Sequence, residues 1–280
     1  MNDAASPSWA DLCIAGRALR IEYAWLAPQQ RRAPLLIFLH EGLGSIAMWR
    51  DWPQALCNAL QCRGLVYSRY GYGRSTPRPH DEQWRPDYLQ QEAELTLPAL
   101  LQALGVDATQ DRPLLFGHSD GGSIALLYAA CYPEAVGGII VAAPHIHVEA
   151  MTLACIRQAR AAYQETDLRQ RLTRYHADPD SAFGAWSDTW LSPAFSDWNI
   201  EAQVAQIQCP VLAIQGVGDE YASLEQIRGI LRLAPQTTLL ELQNCGHSPH
   251  MDQPDAVTAA VREFMRRLRG AAAKQERTQA

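Results

Sequence analysis

The sequence predicts a doubly wound α/β fold, because short apolar runs alternate with segments that have helical periodicity. The apolar runs are residues 35–39, 64–68, 114–116, 136–142, 211–215 and 238–242. The helix-like segments are residues 49–62, 87–104, 121–131, 223–233 and 253–269. Strands and helices in this order are typical of a mostly parallel sheet flanked by right-handed crossover helices.

The start of the chain has a different pattern. Leu19, Ile21, Tyr23 and Trp25 alternate with other residues, as in a strand that buries one face. Residues 35–39 form an uninterrupted apolar run, as in a parallel strand that is covered on both faces. We therefore expect an antiparallel edge that leads into a parallel sheet.

The alternation stops between residues 144 and 208, where a helical pattern at residues 151–163 precedes an aromatic-rich stretch. A segment this long without strands predicts an inserted helical lid. We expect residues 1–143 and 209–270 to form the core, residues 144–208 the lid, and the small and polar residues 271–280 a flexible tail. Trp186 and Trp190 of the lid either line a substrate pocket or pack the lid onto the core.

Composition limits the function. With 24 basic and 30 acidic residues the net charge is −6, and no basic run suits nucleic acid or an anionic membrane. The seven cysteines are scattered without a C-x-x-C pair, as expected for reduced thiols. The sequence shows neither a signal-peptide pattern nor an apolar stretch of ~20 residues. These features predict a soluble, cytoplasmic protein that acts on a small molecule; the oligomeric state is not predicted.

The segment Gly117-His118-Ser119-Asp120-Gly121 has the pattern G-x-S-x-G between a short apolar run and a helix-like segment. A tight turn from strand to helix holds the central serine in a strained conformation and exposes its hydroxyl. We predict that Ser119 is a nucleophile and that the N–H of Asp120 binds an oxyanion. The alternative is that Ser119 only caps the helix.

A serine nucleophile needs a base, and the base needs an acid that fixes its tautomer. His247 and Asp219 each follow a predicted strand, so parallel strands would bring them to the same sheet edge as Ser119. The order Ser119, Asp219, His247 matches that of the α/β-hydrolase triad. Glu220 is a competitor for the acid and His250 for the base, although we expect His250 at the surface or in a helix cap.

Two other histidines are candidates for lesser roles. His118 adjoins the predicted nucleophile; its side chain is expected to point away from that of Ser119, and it is a candidate pocket residue together with Glu41. His145 either faces the pocket or joins lid to core. No H-x-x-x-H or C-x-x-C spacing suggests a metal site.

From about residue 35 to residue 265 the chain resembles the α/β-hydrolase superfamily, in particular its lidded serine esterases, lactonases and C–C hydrolases. The matching segments are FLHEGLGS at residues 38–45, YSRYGYGRS at 67–75, GHSDGG at 117–122, QGVGDE at 215–220 and CGHSPH at 245–250. The resemblance implies an eight-stranded, mostly parallel sheet flanked by helices, no cofactor, and an acyl intermediate on the serine. It does not imply a substrate, because this fold hosts many chemistries.

The chain departs from the family pattern H-G-x-x-G at Glu41, which stands where the pattern has its first glycine. The resemblance then makes Gly42 the second oxyanion donor. A carboxylate about 4 Å from the oxyanion would oppose it by roughly 4 kcal/mol at an effective dielectric near 20. Glu41 must therefore point away, be neutralised or be protonated. Its role is either a structural ion pair, with Arg69 or Arg74 as partner, or contact with substrate or water.

These observations predict a serine hydrolase that cleaves a small or medium carboxylic ester. A C–C bond hydrolase is an alternative, since arginines of the lid are available for a dienoate carboxylate. A ligand receptor that retains the triad is a second alternative. A haloalkane dehalogenase is disfavoured, because its nucleophile is an aspartate where this chain has Ser119.

Overall fold

The computed structural model describes the backbone of residues 7–27 and 33–279 and side chains up to residue 270. Residues 1–6 and 28–32 of the predicted core and Ala280 of the predicted tail lie outside the described residues. Eight strands form one sheet in the order β1-β2-β4-β3-β5-β6-β7-β8. They are β1 (Ser8–Ile14), β2 (Arg17–Leu26), β3 (Leu35–Leu39), β4 (Arg63–Tyr67), β5 (Leu114–His118), β6 (Gly138–Ala142), β7 (Val211–Gly216) and β8 (Thr237–Leu242).

The sheet is antiparallel at one edge and parallel in the rest, as predicted. Strand β2 pairs antiparallel with β1 and with β4, whereas all pairings among β3 to β8 are parallel. Every residue of β3, β5, β6 and β7 is buried, which explains their uninterrupted apolar runs. Strand β1 was not predicted from the sequence, because its buried residues Ala10 and Leu12 form too short an alternation.

Twelve α-helices are found in the part of the chain that the structure describes. They are α1 (Trp52–Leu60), α2 (Tyr88–Gln91), α3 (Leu97–Ala103), α4 (Ala108–Asp111), α5 (Asp120–Cys131), α6 (Ala150–Glu165), α7 (Leu168–Leu172), α8 (Pro179–Trp190), α9 (Glu201–Val204), α10 (Glu225–Leu233), α11 (Pro249–Asp252) and α12 (Pro254–Gln279). A π-helical turn at Glu92–Thr96 joins α2 to α3. None of these helices has an apolar stretch long enough to cross a membrane.

Two apolar layers cover the faces of the sheet. One contains the buried residues of α3, α5 and α10, together with aromatic residues of α8. The other contains residues of α1 and α12 and an aromatic group around Phe38, Trp49, Trp52 and Phe116. The sheet therefore has helices on both faces, and the predicted doubly wound α/β fold is confirmed.

Helices α6 to α9 lie in the predicted lid, and an isolated bridge between His147 and Asn199 is the only strand pairing there among the described residues. His176 ties this insertion to the core: its Nδ1 accepts from the N–H of Gly73 at 3.1 Å, and its Nε2 lies 3.0 Å from the carbonyl oxygen of Leu43. Movement of the insertion as a lid stays a prediction.

The C-terminal segment differs from the expectation of a tail after residue 270. The backbone of α12 continues as a helix to Gln279, past the predicted helix end at residue 269. The sequence suggested a tail because residues 270–280 are small and polar. The alanines among them also favour a helix. The flexibility of this segment stays a prediction.

Candidate active site

Ser119 occupies the turn between β5 and α5 with φ 53° and ψ −118°. Residues other than glycine rarely adopt a positive φ, so this turn is strained. Glycines on both sides make the turn possible: a Cβ at Gly117 would collide with the main chain of Gly121, and a Cβ at Gly121 would collide with the main chain of Leu39. The G-x-S-x-G pattern is thus explained by close contact of strand and helix.

Ser119, His247 and Asp219 form a continuous hydrogen-bonded chain. Nε2 of His247 lies 3.0 Å from Oγ of Ser119. Nδ1 of the same ring lies 2.9 and 3.0 Å from the two carboxylate oxygens of Asp219. The geometry brings together three residues separated by up to 128 positions, and it matches the requirements of a nucleophile, a base and an orienting acid.

Asp219 is fixed by its own loop, which follows β7. The main-chain N–H groups of Tyr221 and Ala222 donate to Oδ1 at 2.8 and 3.1 Å, and the amide of Gln215 donates to Oδ2 at 3.2 Å. Burial disfavours the charged carboxylate, but the hydrogen bonds, first that from His247, hold the pKa of Asp219 below its ordinary value. Glu220, the alternative acid, is exposed.

Tyr221 is a site residue that the sequence analysis missed. Its ring lies 4.7 Å from the His247 ring, centroid to centroid, and it lines the same cavity as Ser119. Tyr221 could have been predicted from its position two residues after Asp219, because the loop that carries the acid also brings its neighbours to the site.

The predicted oxyanion donors Gly42 and Asp120 both border Ser119. Asp120 is the first residue of α5, so its N–H has no partner within the helix. Among the described residues, no hydrogen bond from the N–H of Gly42 is formed either. The two amides are therefore free to receive a negative oxygen.

The side chain of Asp120 faces away into a buried polar network. Its Oδ2 accepts from Tyr88 at 2.7 Å and lies 3.4 Å from the guanidinium of Arg69, and Nε1 of Trp190 donates to the Tyr88 oxygen at 3.0 Å. Arg69 and Asp120 are 2% and 1% exposed. Each neutralises the charge of the other, because an unpaired charge would be costly to bury. Tyr88 was not identified from the sequence, because it lies outside every motif.

A cavity of about 150 Å³ opens beside Ser119. All five predicted pocket residues line it: Glu41, His118, His145, Trp186 and Trp190. Burial lowers the pKa of His145 to about 3, so this ring is neutral and its edge meets Trp190 with centroids 5.0 Å apart. Trp186 and Trp190 of the insertion thus supply an aromatic part of the cavity wall.

The structure corrects the predicted partner of Glu41. Its Oε2 lies 3.5 Å from Nδ1 of His118, and neither Arg69 nor Arg74 reaches its carboxylate. Arg69 instead donates to the carbonyl oxygen of Glu41 at 2.8 Å and pairs with Asp120, and the main-chain N–H of Arg74 donates to Glu22. The sequence suggested arginines because only the tertiary fold brings His118 beside this loop.

His118 also differs from the expectation that it points elsewhere. Only 3% of its side chain is exposed, and its Nε2 lies 2.8 Å from the carbonyl oxygen of His247, so this nitrogen carries a proton. Burial favours the neutral ring, but the contact with Glu41 outweighs it and raises the pKa of His118. Burial likewise opposes the charge of Glu41, whose pKa is nonetheless lowered, chiefly by His118.

The sequence suggested that His250 lies at the surface or in a helix cap, but the structure places it in the core. It is 4% exposed, and its ring packs against Trp49, Trp52 and His118 with centroids 4.8 to 5.1 Å apart. Burial lowers its pKa to about 3. The position near a helix start was correctly expected, but helix α11 turns this residue inward.

The arginines of the insertion do not line the cavity. Arg160 pairs with Asp188, Arg169 with Asp180, and Arg171 with Asp167, all at the surface. Arg157 and Arg174 are also exposed. The hypothesis that one of them receives a carboxylate in the pocket is therefore not supported by this arrangement.

Comparison with known proteins agrees with the fold. Residues 36–260 match the Alpha/beta hydrolase family. Epoxide hydrolase 4 of Mus musculus is 30% identical over 142 residues, which are 50% of this chain but only 36% of that protein. The sn-1-specific diacylglycerol lipase ABHD11 of Mus musculus is 25% identical over 83% of this chain and 81% of its own length.

A third relative is a 2-hydroxy-6-oxononadienedioate/2-hydroxy-6-oxononatrienedioate hydrolase of Comamonas testosteroni, 23% identical over 61% of this chain and 67% of that protein. Among solved structures, an esterase of Thermogutta terrifontis superposes with a TM-score of 0.71 at 18% identity, covering 94% of this chain and 99% of that chain. At this identity the likeness concerns the fold alone. With residues 36–260 matched, the protein belongs to the alpha/beta hydrolase family.

Proposed function

We propose that this hydrolase cleaves a small or medium carboxylic ester through an acyl-enzyme on Ser119. The observation that carries the proposal is the chain from Asp219 through His247 to Oγ of Ser119, with contacts of 2.9 and 3.0 Å, at the edge of a cavity. The cavity itself would receive the acyl or alcohol group.

In this mechanism His247 accepts the proton of Ser119 as Oγ attacks the ester carbonyl carbon. Asp219 holds Nδ1 of the ring protonated and stabilises the imidazolium. The N–H groups of Gly42 and Asp120 bind the oxyanion. His247 then donates its proton to the departing alkoxide, and in the second half it activates the water that releases the acid.

The cavity supports a small and uncharged acyl group. A cavity of about 150 Å³ with apolar walls holds a group the size of benzene. Trp186, Trp190 and Ile156 supply such walls, and none of the described lysines or arginines lines the cavity. Glu41 and His118 also line it, as an ion pair. We therefore propose short-chain or simple aromatic esters as substrates. Hydrolysis of a C–C bond in a dienoate substrate is the second candidate reaction. The insertion, residues 144–208, would act as the lid.

A location in the cytoplasm is part of the proposal, because all seven cysteines are free thiols. This placement rests on the thiols alone and does not affect the proposed mechanism.

Labelling with a fluorophosphonate probe, followed by p-nitrophenyl esters of increasing chain length, tests the proposal. We expect labelling of the wild type, its loss in Ser119→Ala, and fastest turnover of short or benzoyl esters. The Ser119→Ala change should lower kcat by about 10⁴ to 10⁶. Undiminished turnover by that variant would exclude the mechanism, and labelling without turnover of any ester or dienoate would favour the receptor.

A further inference from the structure

We propose that protonated His118 is the counter-ion of Glu41, so that the glutamate of the oxyanion loop does not oppose the negative charge of the reaction. His118 is then a positioning residue that acts through Glu41 and the main chain of His247. The inference rests on the proposed hydrolase function and assigns a role to two residues that the triad mechanism does not use.

Both ring nitrogens of His118 face acceptors. Nε2 lies 2.8 Å from the carbonyl oxygen of His247, and Nδ1 lies 3.5 Å from Oε2 of Glu41. Among the described residues Nδ1 makes no hydrogen bond, so the contact with the Glu41 carboxylate is that of an ion pair. A neutral ring with its proton on Nε2 would place a lone pair opposite a carboxylate, whereas the imidazolium places a proton there. The geometry therefore favours the charged ring.

The loop is also shaped to hold the carboxylate in this direction. A Cβ at Gly44 would lie 2.6 Å from Oε2 of Glu41, so the glycine leaves the space that the side chain occupies. The N–H of Gly44 donates to the carbonyl oxygen of Glu41 at 3.0 Å and closes the turn. Glu41 is 23% exposed, and it reaches the cavity beside Gly42, the proposed oxyanion donor.

Among the described residues no arginine pairs with the Glu41 carboxylate in place of His118. Arg69 lies nearby, but its guanidinium contacts the main chain of Glu41 and its charge is paired with Asp120. His40 is buried, and it accepts the N–H of Arg69 on Nε2 while its Nδ1 lies 2.7 Å from the carbonyl oxygen of Glu41. This pattern needs a neutral ring, so His40 supplies no charge.

Deprotonation of His118 should therefore weaken catalysis. The titratable groups that face His118 are Glu41, His145, Asp219, His247 and His250. His145 and His250 are neutral at pH 7, and Asp219 is already ionised there. Glu41 raises the pKa of His118, so this ring loses its proton on the alkaline side of the ordinary histidine value. Because Glu41 becomes uncompensated when His118 loses its proton, kcat/KM should fall on the alkaline side.

The first experiment is the pH dependence of kcat and KM for short-ester hydrolysis. For the wild type we expect kcat/KM to fall about tenfold as pH rises through the pKa of His118. Glu41→Gln should lose this alkaline limb, since no charge remains to be compensated. The matched control is Glu201→Gln, which removes a carboxylate 3.9 Å from His147 at the surface and should change nothing.

The second experiment removes the counter-ion. His118→Gln leaves Glu41 without its partner and should lower kcat at least about tenfold while the wild-type His118 is protonated, with a deficit that narrows as pH rises and the wild type also loses the charge of His118. The double variant Glu41→Gln/His118→Gln should recover most of this loss. A merely structural role for His118 predicts the opposite, namely that the double variant is as impaired as His118→Gln. An alkaline limb that persists in Glu41→Gln also overturns the inference.

A third measurement is independent of activity. NMR of ¹⁵N-histidine-labelled protein should show the His118 ring protonated at pH 7 in the wild type and neutral in Glu41→Gln. A neutral His118 in the wild type overturns the inference whatever the enzyme hydrolyses. A protonated His118 in a protein that turns over no ester supports the ion pair and counts against the proposed function alone.

Discussion

The indole of Trp186 lies directly against Cα of Gly42, so closely that a Cβ at this position would overlap its Cδ1 and Nε1 atoms. Trp186 belongs to the helical insertion and Gly42 to the loop that follows β3. The insertion therefore contacts the loop at its proposed oxyanion donor, and the position of one depends on the other.

Gly42→Ala should displace either the indole or the donor amide. We expect kcat to fall by about 10- to 100-fold, approaching the loss of one oxyanion donor. Steady-state kinetics with a short p-nitrophenyl ester measures the effect. Trp186→Ala in the same chain should restore part of kcat because it removes the overlap. The control is Gly270→Ala, where a Cβ meets no atom within 4 Å.

Asp219→Asn should lower kcat by about 10⁴ without unfolding the protein. The asparagine keeps the shape of the side chain, but it no longer stabilises the imidazolium or the required tautomer of His247. Stopped or continuous ester assays, together with a thermal melt, separate catalysis from stability. Glu220→Gln is the matched control, since Glu220 is the exposed neighbour; a comparable loss there would show that the acid is misassigned.

Tyr88→Phe should destabilise the fold by about 1 to 3 kcal/mol, because it leaves Nε1 of Trp190 without its acceptor and removes a donor from the buried carboxylate of Asp120. Urea unfolding measures the free energy of unfolding. Tyr132→Phe removes a hydroxyl that bonds at the surface and should cost less than about 0.5 kcal/mol. Equal values for the two variants would contradict the role given to the buried network.

The free energy of unfolding should decrease as pH falls below about 6.5. Burial lowers the pKa of His40, His145, His176 and His250, so the unfolded chain binds protons that the native protein excludes. Their contribution to the free energy of unfolding is fully present above the ordinary histidine pKa. It is lost progressively as pH falls from that value to about 3. Each contributes a slope of up to about 1.4 kcal/mol per pH unit. Urea titrations at pH 7, 6 and 5 measure it.

His250→Phe provides the internal check for this pH dependence. The ring already packs against Trp49 and Trp52, so phenylalanine suits the site and cannot titrate. The slope between pH 6 and pH 5 should decrease by the contribution of one histidine. An unchanged slope would mean that His250 is not a source of the acid sensitivity.

Much of the fold and the three members of the predicted triad were accessible from the sequence, because their signals are local. A buried parallel strand is a short apolar run, and the residue that follows such a strand lies at the carboxyl edge of the sheet. Ser119, Asp219 and His247 each stand just past β5, β7 and β8, so three local patterns converge on one edge. Strand β1 was not predicted, because its alternation of buried and exposed residues is short.

Local sequence patterns therefore predicted most of the sheet, the helical stretch of the insertion and the order of the catalytic candidates along the chain. The contacts between these groups depended on the tertiary structure. It paired Glu41 with His118 and not with an arginine, turned His250 into the core, and joined Tyr88 to Asp120. These contacts were not predictable from local patterns because a charge interacts with whatever packing brings within a few ångströms, and such neighbours come from strands that are distant in the sequence.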